Sequence, residues 1–396
     1  DNKFARPAKQ TLDAALNLFD PVWGGVYQYS DKVDWKSPHY EKIMSYQSQY
    51  MRHYTQAYSL WGDQKYLDAA KNIYRYLTTL MKDNKGAFYT SQDADLNTEI
   101  DGKKFYALNA EERKKLGMPR IDKNIYAREN GWVITGLVAL YNVTSDPKIL
   151  AEAETAMNWI IQARQIKGGG FRHGASDKGG PYLGDNLAVG QAALDLYGAT
   201  GNRKWLKLAA NTGTFIGRTF KNKAGGYITS AVSSSNVGVF AKPVVQIEEN
   251  IQLARFLNTL NRYHGSKEYR DQAEHVMRYL VAEEVTKMRR FLIGIVLADD
   301  ELSIEPAHIT IVGKKGDPAA QKLHKAAREL PIAYKRIDWW DKAEGPMINP
   351  DVKYPELEKA AAFACSNNVC SLPVFDPANL NTQVTKMMSL RVAVKK

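Results

Sequence analysis

The sequence predicts an all-α chain, an α/α toroid of helical hairpins, closed by a small C-terminal α/β segment. Three observations carry this. A Gly-aromatic signature recurs as GGVY at Gly24, KGAFY at Lys85, GGGF at Gly168 and GGY at Gly225. A second signature alternates with it: LWGDQKYLDAA from Leu60, VTSDPKILAEAE from Val143, ATGNRKWLKLAA from Ala199 and YHGSKEYRDQAE from Tyr263. The composition, 44% hydrophobic and 24% charged, is that of a globular chain with a sizeable core.

Each member of the second signature is a tight turn of Gly, Asn, Asp, Ser or Pro followed by a new helix with an aromatic or aliphatic anchor. One unit is therefore helix, tight turn, helix, then a long loop opening on Gly-aromatic, and such units stack by burying faces against their neighbours. The predicted helices are 8–19, 40–60, 64–82, 128–143, 147–163, 185–200, 202–219, 248–264, 266–282 and 285–298. Small or aromatic residues at inner positions (Gly131, Trp132, Gly136; Gly190, Ala192, Ala193) suit close helix packing. The expected division is a toroid over 1–300 and an α/β segment over 301–396. In the latter, HITIVG from His308 reads as a strand. Helices follow from Gly316-Asp317-Pro318 to Leu330, near Pro355–Ala362 and near Pro377–Met388.

The tight turns belong to one end of the array and the long loops, 20–39, 83–127, 164–184 and 220–247, to the other. Long loops in compact domains are usually functional. These converge on the helix starts near Pro38, Arg128, Gly184 and Ile247. The stretch Ser37–Tyr58 is read as a helix with Ser37 as N-cap, Pro38 as first helical residue and Glu41 completing a capping box. On the loop face the sequence places His39, Glu41, Asp93 and Asp185 as acid/base candidates. Asp95, Asn130, Trp132, Tyr182 and Glu249 are the candidates for holding a ligand. Carboxylates interleaved with aromatic platforms suit a carbohydrate, whose ring faces stack on Trp and Tyr and whose hydroxyls need acceptors. Two carboxylates hydrolyse glycosides, and a His with a carboxylate neighbour abstracts a proton beside a carbonyl. Structural alternatives stand beside each. Asp93 and Asp95 suit an Asx-turn, Asp185 suits an N-cap, and Glu248 and Glu249 suit first-turn partners of the helix dipole. His173 reads as a surface residue, and His53, His264, His275, His308 and His324 as structural or exposed.

Lys and Arg total 54 against 43 Asp and Glu, a net charge of +11. The basic residues are scattered and accompany no nucleic-acid motif. DADLNTE matches only part of a calcium-binding loop, and GKKGDP lacks the spacing of a phosphate loop. Neither a metal nor a cofactor is called for, and no apolar run reaches the roughly 18 residues of a membrane span. Cys365 and Cys370, spaced CSNNVC, form either a local disulfide or two buried thiols; no zinc set accompanies them.

The stretches GGVYQYS, DWKSPHYEKIMSYQ and YTQAY, followed by GAFYTSQDADLN and KKFYALNAEE, resemble the thioredoxin-domain-containing proteins of the spermatogenesis-associated type. HITIVGKKGDPAA and ACSNNVCSLPV resemble their C-terminal part. The resemblance implies a six-hairpin-glycosidase-like toroid, related in architecture to N-acylglucosamine 2-epimerases. It also implies a thioredoxin-like domain and a first toroid helix upstream of Asp1, so an upstream segment or partner chain is expected to cover an open apolar edge. Tyr46 stands where that family has Asp. Arg128-Glu129-Asn130 replaces its Ser-Trp-Asn, Gly184-Asp185-Asn186 its Asp-Asp-Tyr, and Ile247-Glu248-Glu249-Asn250 its Pro-Ser-Gly-Asn. The functional expectation is a divergent carbohydrate-active protein, an epimerase or glycoside hydrolase at the loop face. The alternative is a non-catalytic structural or interaction subunit that reuses the scaffold. The compartment stays open.

Overall fold

The computed structural model describes residues 2–389 apart from 178, 232–236, 243 and 368. The chain divides into two compact units, Asp1–Arg164 and Gln165–Lys396.

The first unit runs α1 (Asn2–Ala15), β1 (Tyr29–Ser30), β2 (Pro38–His39), β3 (Lys42–Ile43), α2 (Met44–Trp61), α3 (Gln64–Leu80), β4 (Ser91–Gln92), α4 (Gly102–Tyr106), α5 (Ala110–Leu116), β5 (Ile121–Asp122), α6 (Ala127–Thr144) and α7 (Pro147–Arg164). α2–α3 and α6–α7 are the predicted hairpins, with α2 packed on α6. The second unit holds α8 (Leu183–Thr200), α9 (Arg203–Thr219), α10 (Ile247–His264), α11 (Lys267–Leu280), α12 (Glu283–Thr286) and α13 (Leu292–Ser303). The α/β segment follows: β6 (Ala307–Val312), α14 (Pro318–Glu329), β7 (Lys335–Trp340), β8 (Ala361–Ser366), β9 (Val369–Cys370) and α15 (Leu380–Ser389).

The hairpin turns share one chemistry. Gly62, Gly201 and Gly265 close α2, α8 and α10 in the left-handed conformation, at φ 67°, 64° and 74°. Ser145 takes the same place after α6 at φ 54°. Asp63 and Asn202 then cap the next helices by accepting from Lys65 N and Lys204 N. The inner helices α6 and α8 are buried on nearly every side. α3, α9 and α11 are amphipathic and keep a wet face.

β6 and β7 pair in parallel across the α14 crossover, β8 runs antiparallel to β6, and β9 forms an edge beyond β8, giving the order β7-β6-β8-β9. Alternation along β6 sends Ile309 and Ile311 into a core with Leu323, Ile337, Trp339 and Leu380. His308 and Thr310 alternate with those core residues. The segment is bonded to the neighbouring hairpins: Tyr197 Oη donates to Asp338 at 2.8 Å, and Ile337 N donates to Tyr263 Oη at 3.1 Å.

Several expectations change. The helix predicted over 40–60 starts at Met44, because Pro38–His39 pairs with β1 and Lys42–Ile43 pairs with β4. Ser37 therefore caps nothing, and Glu41 completes no capping box. α1 begins earlier than predicted, and the helix predicted over 285–298 is split into α12 and α13. Cys365 and Cys370 are joined as a disulfide between β8 and β9.

Candidate functional site

A repeated polar clamp fixes the start of each inner helix. Asn186, in the first turn of α8, accepts from Phe171 N at 2.8 Å and donates to Phe171 O and Tyr182 O. Asn250 does the same in α10 with Tyr227 N, Tyr227 O and Gln246 O. In the first unit, Asn130 holds Phe88 N, Phe88 O and Tyr126 O, and Gln47 holds Val26 N and Val26 O. Each amide thus pins the Gly-aromatic loop onto its helix and satisfies buried backbone groups. Asn130 is fully buried and committed to this task, which corrects its reading as a ligand-holding residue.

The residue before each clamp is Tyr46, Glu129, Asp185 or Glu249. Three helix starts therefore present a carboxylate at the same register. In the second unit, Asp185 is 2% exposed in its side chain, and His173 Nδ1 lies 2.9 Å from its Oδ1. His173 sits two residues beyond the clamped Phe171. Its loop is braced further by Asp177, which accepts from His173 N at 2.8 Å and Gly174 N at 3.0 Å. The Tyr182 ring stands edge-on to the imidazole, with centroids 6.0 Å apart. Thr229 Oγ1 donates to Glu249 at 3.0 Å. A buried carboxylate bonded to Nδ1 fixes the tautomer and aims Nε2 for proton transfer. His173 is thus half-buried, with Asp185 as its partner.

The first unit does not assemble its candidates in the same way. His39 lies 3.7 Å from Glu41, with side chains 40% and 31% exposed, and stacks on Tyr29 at 5.1 Å. Asp93 pairs with exposed Arg120 at 2.9 Å. Asp95 accepts from Gly102 N at 2.7 Å and so holds its own loop. Arg128 spans Glu129, at 3.1 Å, and the Trp132 ring, at 5.0 Å.

Sequence reasoning missed a buried charge cluster. Asp20, Lys42 and Arg113 are all fully buried. Lys42 Nζ donates to Asp20 at 2.7 Å and to Gly24 O at 2.8 Å, and Arg113 donates to both Asp20 oxygens. The Lys42 ammonium faces the rings of Tyr27, Tyr76 and Tyr106 at 5.4, 4.6 and 5.0 Å. Burial pulls Lys42 down to about 8 against the opposing pull of Asp20. Burial raises Asp20, but the charge of Lys42 and the Arg113 hydrogen bonds leave it below the ordinary carboxylate range. Nothing in a run such as EERKK marks one Arg as interior.

No protein-family model matches the chain. It is similar to spermatogenesis-associated protein 20 of Rattus norvegicus, 20% identical over 485 aligned positions that cover 94% of this chain and 61% of that one. A stretch of 90 residues is 41% identical to the Mus musculus protein, covering 22% of this chain and 11% of that one. The chain spans less than two thirds of these curated relatives. Among solved structures, the cellobiose 2-epimerase of Bacillus thermoamylovorans superposes with a TM-score of 0.55 at 14% identity, over 71% of this chain and 72% of that one. A sugar epimerase from a ruminal bacterium gives 0.53 at 16%, over 76% and 72%. A glycoside hydrolase family 76 mannosidase of Bacteroides thetaiotaomicron gives 0.52 at 11%, over 75% and 82%. The fold class is accordingly the α/α toroid that these structures share.

Proposed function

We propose that this homologue of spermatogenesis-associated protein 20 is carbohydrate-active, and that its chemistry is proton transfer beside a sugar carbonyl. The pairing of His173 with Asp185 at 2.9 Å carries the reading. In the open-chain form of a reducing sugar, the C2 hydrogen is acidified by the C1 carbonyl. His173 Nε2 takes that proton and Asp185 stabilises the resulting imidazolium; protonation of the enediolate at C2 from the opposite face, by solvent, yields an epimer, and return of the proton to C1, with the O2 proton passing to O1, yields a ketose. Tyr182 offers an aromatic edge to the sugar, and Glu249 an acceptor for a hydroxyl. Two of the structural neighbours are sugar epimerases, which is compatible with this reaction class.

Hydrolysis is the weaker reading, because it needs two carboxyl groups flanking one glycosidic bond, one to protonate the leaving oxygen and one to attack the anomeric carbon or activate a water. Here Asp185 is engaged with His173, and Glu249 accepts from Thr229. A non-catalytic scaffold is favoured by one observation: the amides at the helix starts are spent on backbone. The test is incubation with a panel of reducing mono- and disaccharides and with a mannan, followed by carbon NMR. The expected product is a C2 epimer or ketose, reduced at least about 100-fold by His173→Gln. Sugar release from the polysaccharide would overturn the reading in favour of hydrolysis. Unchanged sugars throughout would favour the scaffold.

A further inference from the structure

The disulfide of the α/β segment ends a chain of hydrogen bonds that a mere staple does not need. Asp338 accepts from Arg336 Nε at 2.6 Å and from Tyr197 Oη at 2.8 Å. Burial raises it, but the charge of Arg336 and its bond to His308 hold it as an anion, at about 2. An anion only accepts, so His308 Nε2, 3.0 Å away, carries the proton between them. Thr310 Oγ1 lies 3.0 Å from the same nitrogen and 2.7 Å from Tyr354 Oη. Because Nε2 is already a donor, the Thr310 hydroxyl directs its own proton to Tyr354. The Tyr354 proton is then directed to Cys365 Sγ, at 3.7 Å. His308, Thr310 and Asp338 are all buried, so the chain's polarity is set by the protein and not by solvent.

The two sulfurs are unequal. Cys365 is 4% exposed on the interior strand β8. Cys370 is half-buried on the edge strand β9. A cavity of about 30 Å³ adjoins Cys365, lined also by His308, Arg336 and Ser366. The Ser366 hydroxyl is buried there without a hydrogen-bond partner. That space allows Cys365 to withdraw when the sulfurs separate. Beside Cys370 the edge exposes Val369, Leu372 and Phe375, at 58%, 86% and 52%.

We infer that Cys365–Cys370 is a thiol–disulfide exchange site that receives an external thiolate at Cys370. The incoming thiolate bonds to Cys370 Sγ and the Cys365–Cys370 bond breaks. Cys365 leaves as a thiolate held by the Tyr354 hydroxyl. A second external thiolate then attacks the external sulfur of the mixed disulfide and Cys370 leaves as a thiolate, giving an external disulfide and the reduced pair. Two electrons pass from the two external thiolates to the protein. The external thiol is either a small molecule or a cysteine of an apolar polypeptide segment, for which Val369, Leu372 and Phe375 form a landing edge.

The test follows reduction of the folded full chain by mass after alkylation. The reductants are glutathione and, at equal thiol concentration, a synthetic peptide with one cysteine between valines and isoleucines. Reduction without unfolding supports the site. A faster peptide identifies a polypeptide source, and equal rates a small thiol. Tyr354→Phe is expected to slow reduction roughly three- to tenfold, the rate equivalent of one net hydrogen bond, with no difference between the two chains in urea. With oxidised glutathione, Cys365→Ser should acquire a mixed disulfide at Cys370 quickly, and Cys370→Ser should acquire one at Cys365 slowly. A disulfide that reacts only after unfolding overturns the proposal. So does a Tyr354→Phe rate equal to wild type, or the reverse order of the two serine variants.

Discussion

At the scale of residues, charge burial decides more than the loop face does. Asp20 neutralises two buried cations, Lys42 and Arg113. Asp20→Asn leaves both without their carboxylate and is expected to cost roughly 3–5 kcal/mol. Lys42→Met leaves the Asp20–Arg113 pair intact and should cost less, so the ranking in denaturant titrations checks the assignment. Lys42 also makes a pH prediction. Its ammonium titrates near the ordinary 10.5 when unfolded and at about 8 when folded. Between those values the unfolded chain binds more protons, so stability from this residue rises with pH across that window. The wild type should gain stability relative to Lys42→Met between the two limits; a gap that narrows would contradict the burial argument. Asn186→Ala removes the partner of buried Phe171 N and O. It should cost roughly 2–4 kcal/mol and displace His173 two residues on. In the sequence Asn130, which makes the same clamp on Phe88, reads as a ligand-holding group, because a side chain that satisfies backbone has the same composition as one that binds a sugar. His173 could have been found: it lies a fixed step beyond a Gly-aromatic turn, with an acid just before the next clamp.

At the scale of elements, the hairpins were legible because their signals are local. A Gly or Ser in the left-handed region, a capping Asp or Asn, and then an amphipathic outer helix are all written in consecutive residues. The stretch 37–43 was not, because Ser, Pro and Glu there carry helix-start chemistry while the decisive event is pairing with distant residues. Lys42 stands opposite Gln92 and Ile43 opposite Ser91. Tertiary pairing overrode local propensity. The inner helices make a packing prediction. A Cβ on Gly190 would lie 2.7 Å from the Phe256 ring, whereas one on Gly136 would lie 2.6 Å from the mobile end of Met51. Gly190→Ala should therefore cost roughly 1–3 kcal/mol, and Gly136→Ala less, as thermal unfolding would read.

At the scale of the whole molecule, the repeat was the feature that made the fold class readable, since a recurring unit must stack to bury its faces. The functional assignment did not follow with it, because one fold hosts many chemistries and activity resides in particular side chains. Of the candidates on the loop face, Asp185, Tyr182 and Glu249 lie at helix starts of the second unit with His173, while His39, Glu41 and Asp93 are partly exposed in the first. The proposed activity thus rests on the His173–Asp185 dyad. Its most direct test is exchange of the C2 hydrogen of a reducing sugar with solvent deuterium, followed by proton NMR for the full chain, His173→Gln and Asp185→Asn. Deuterium is expected at C2 with the wild type, none above background with His173→Gln, and a rate lowered roughly 10²- to 10⁴-fold with Asp185→Asn. Exchange that persists unchanged in His173→Gln, in a protein that folds normally, would contradict it.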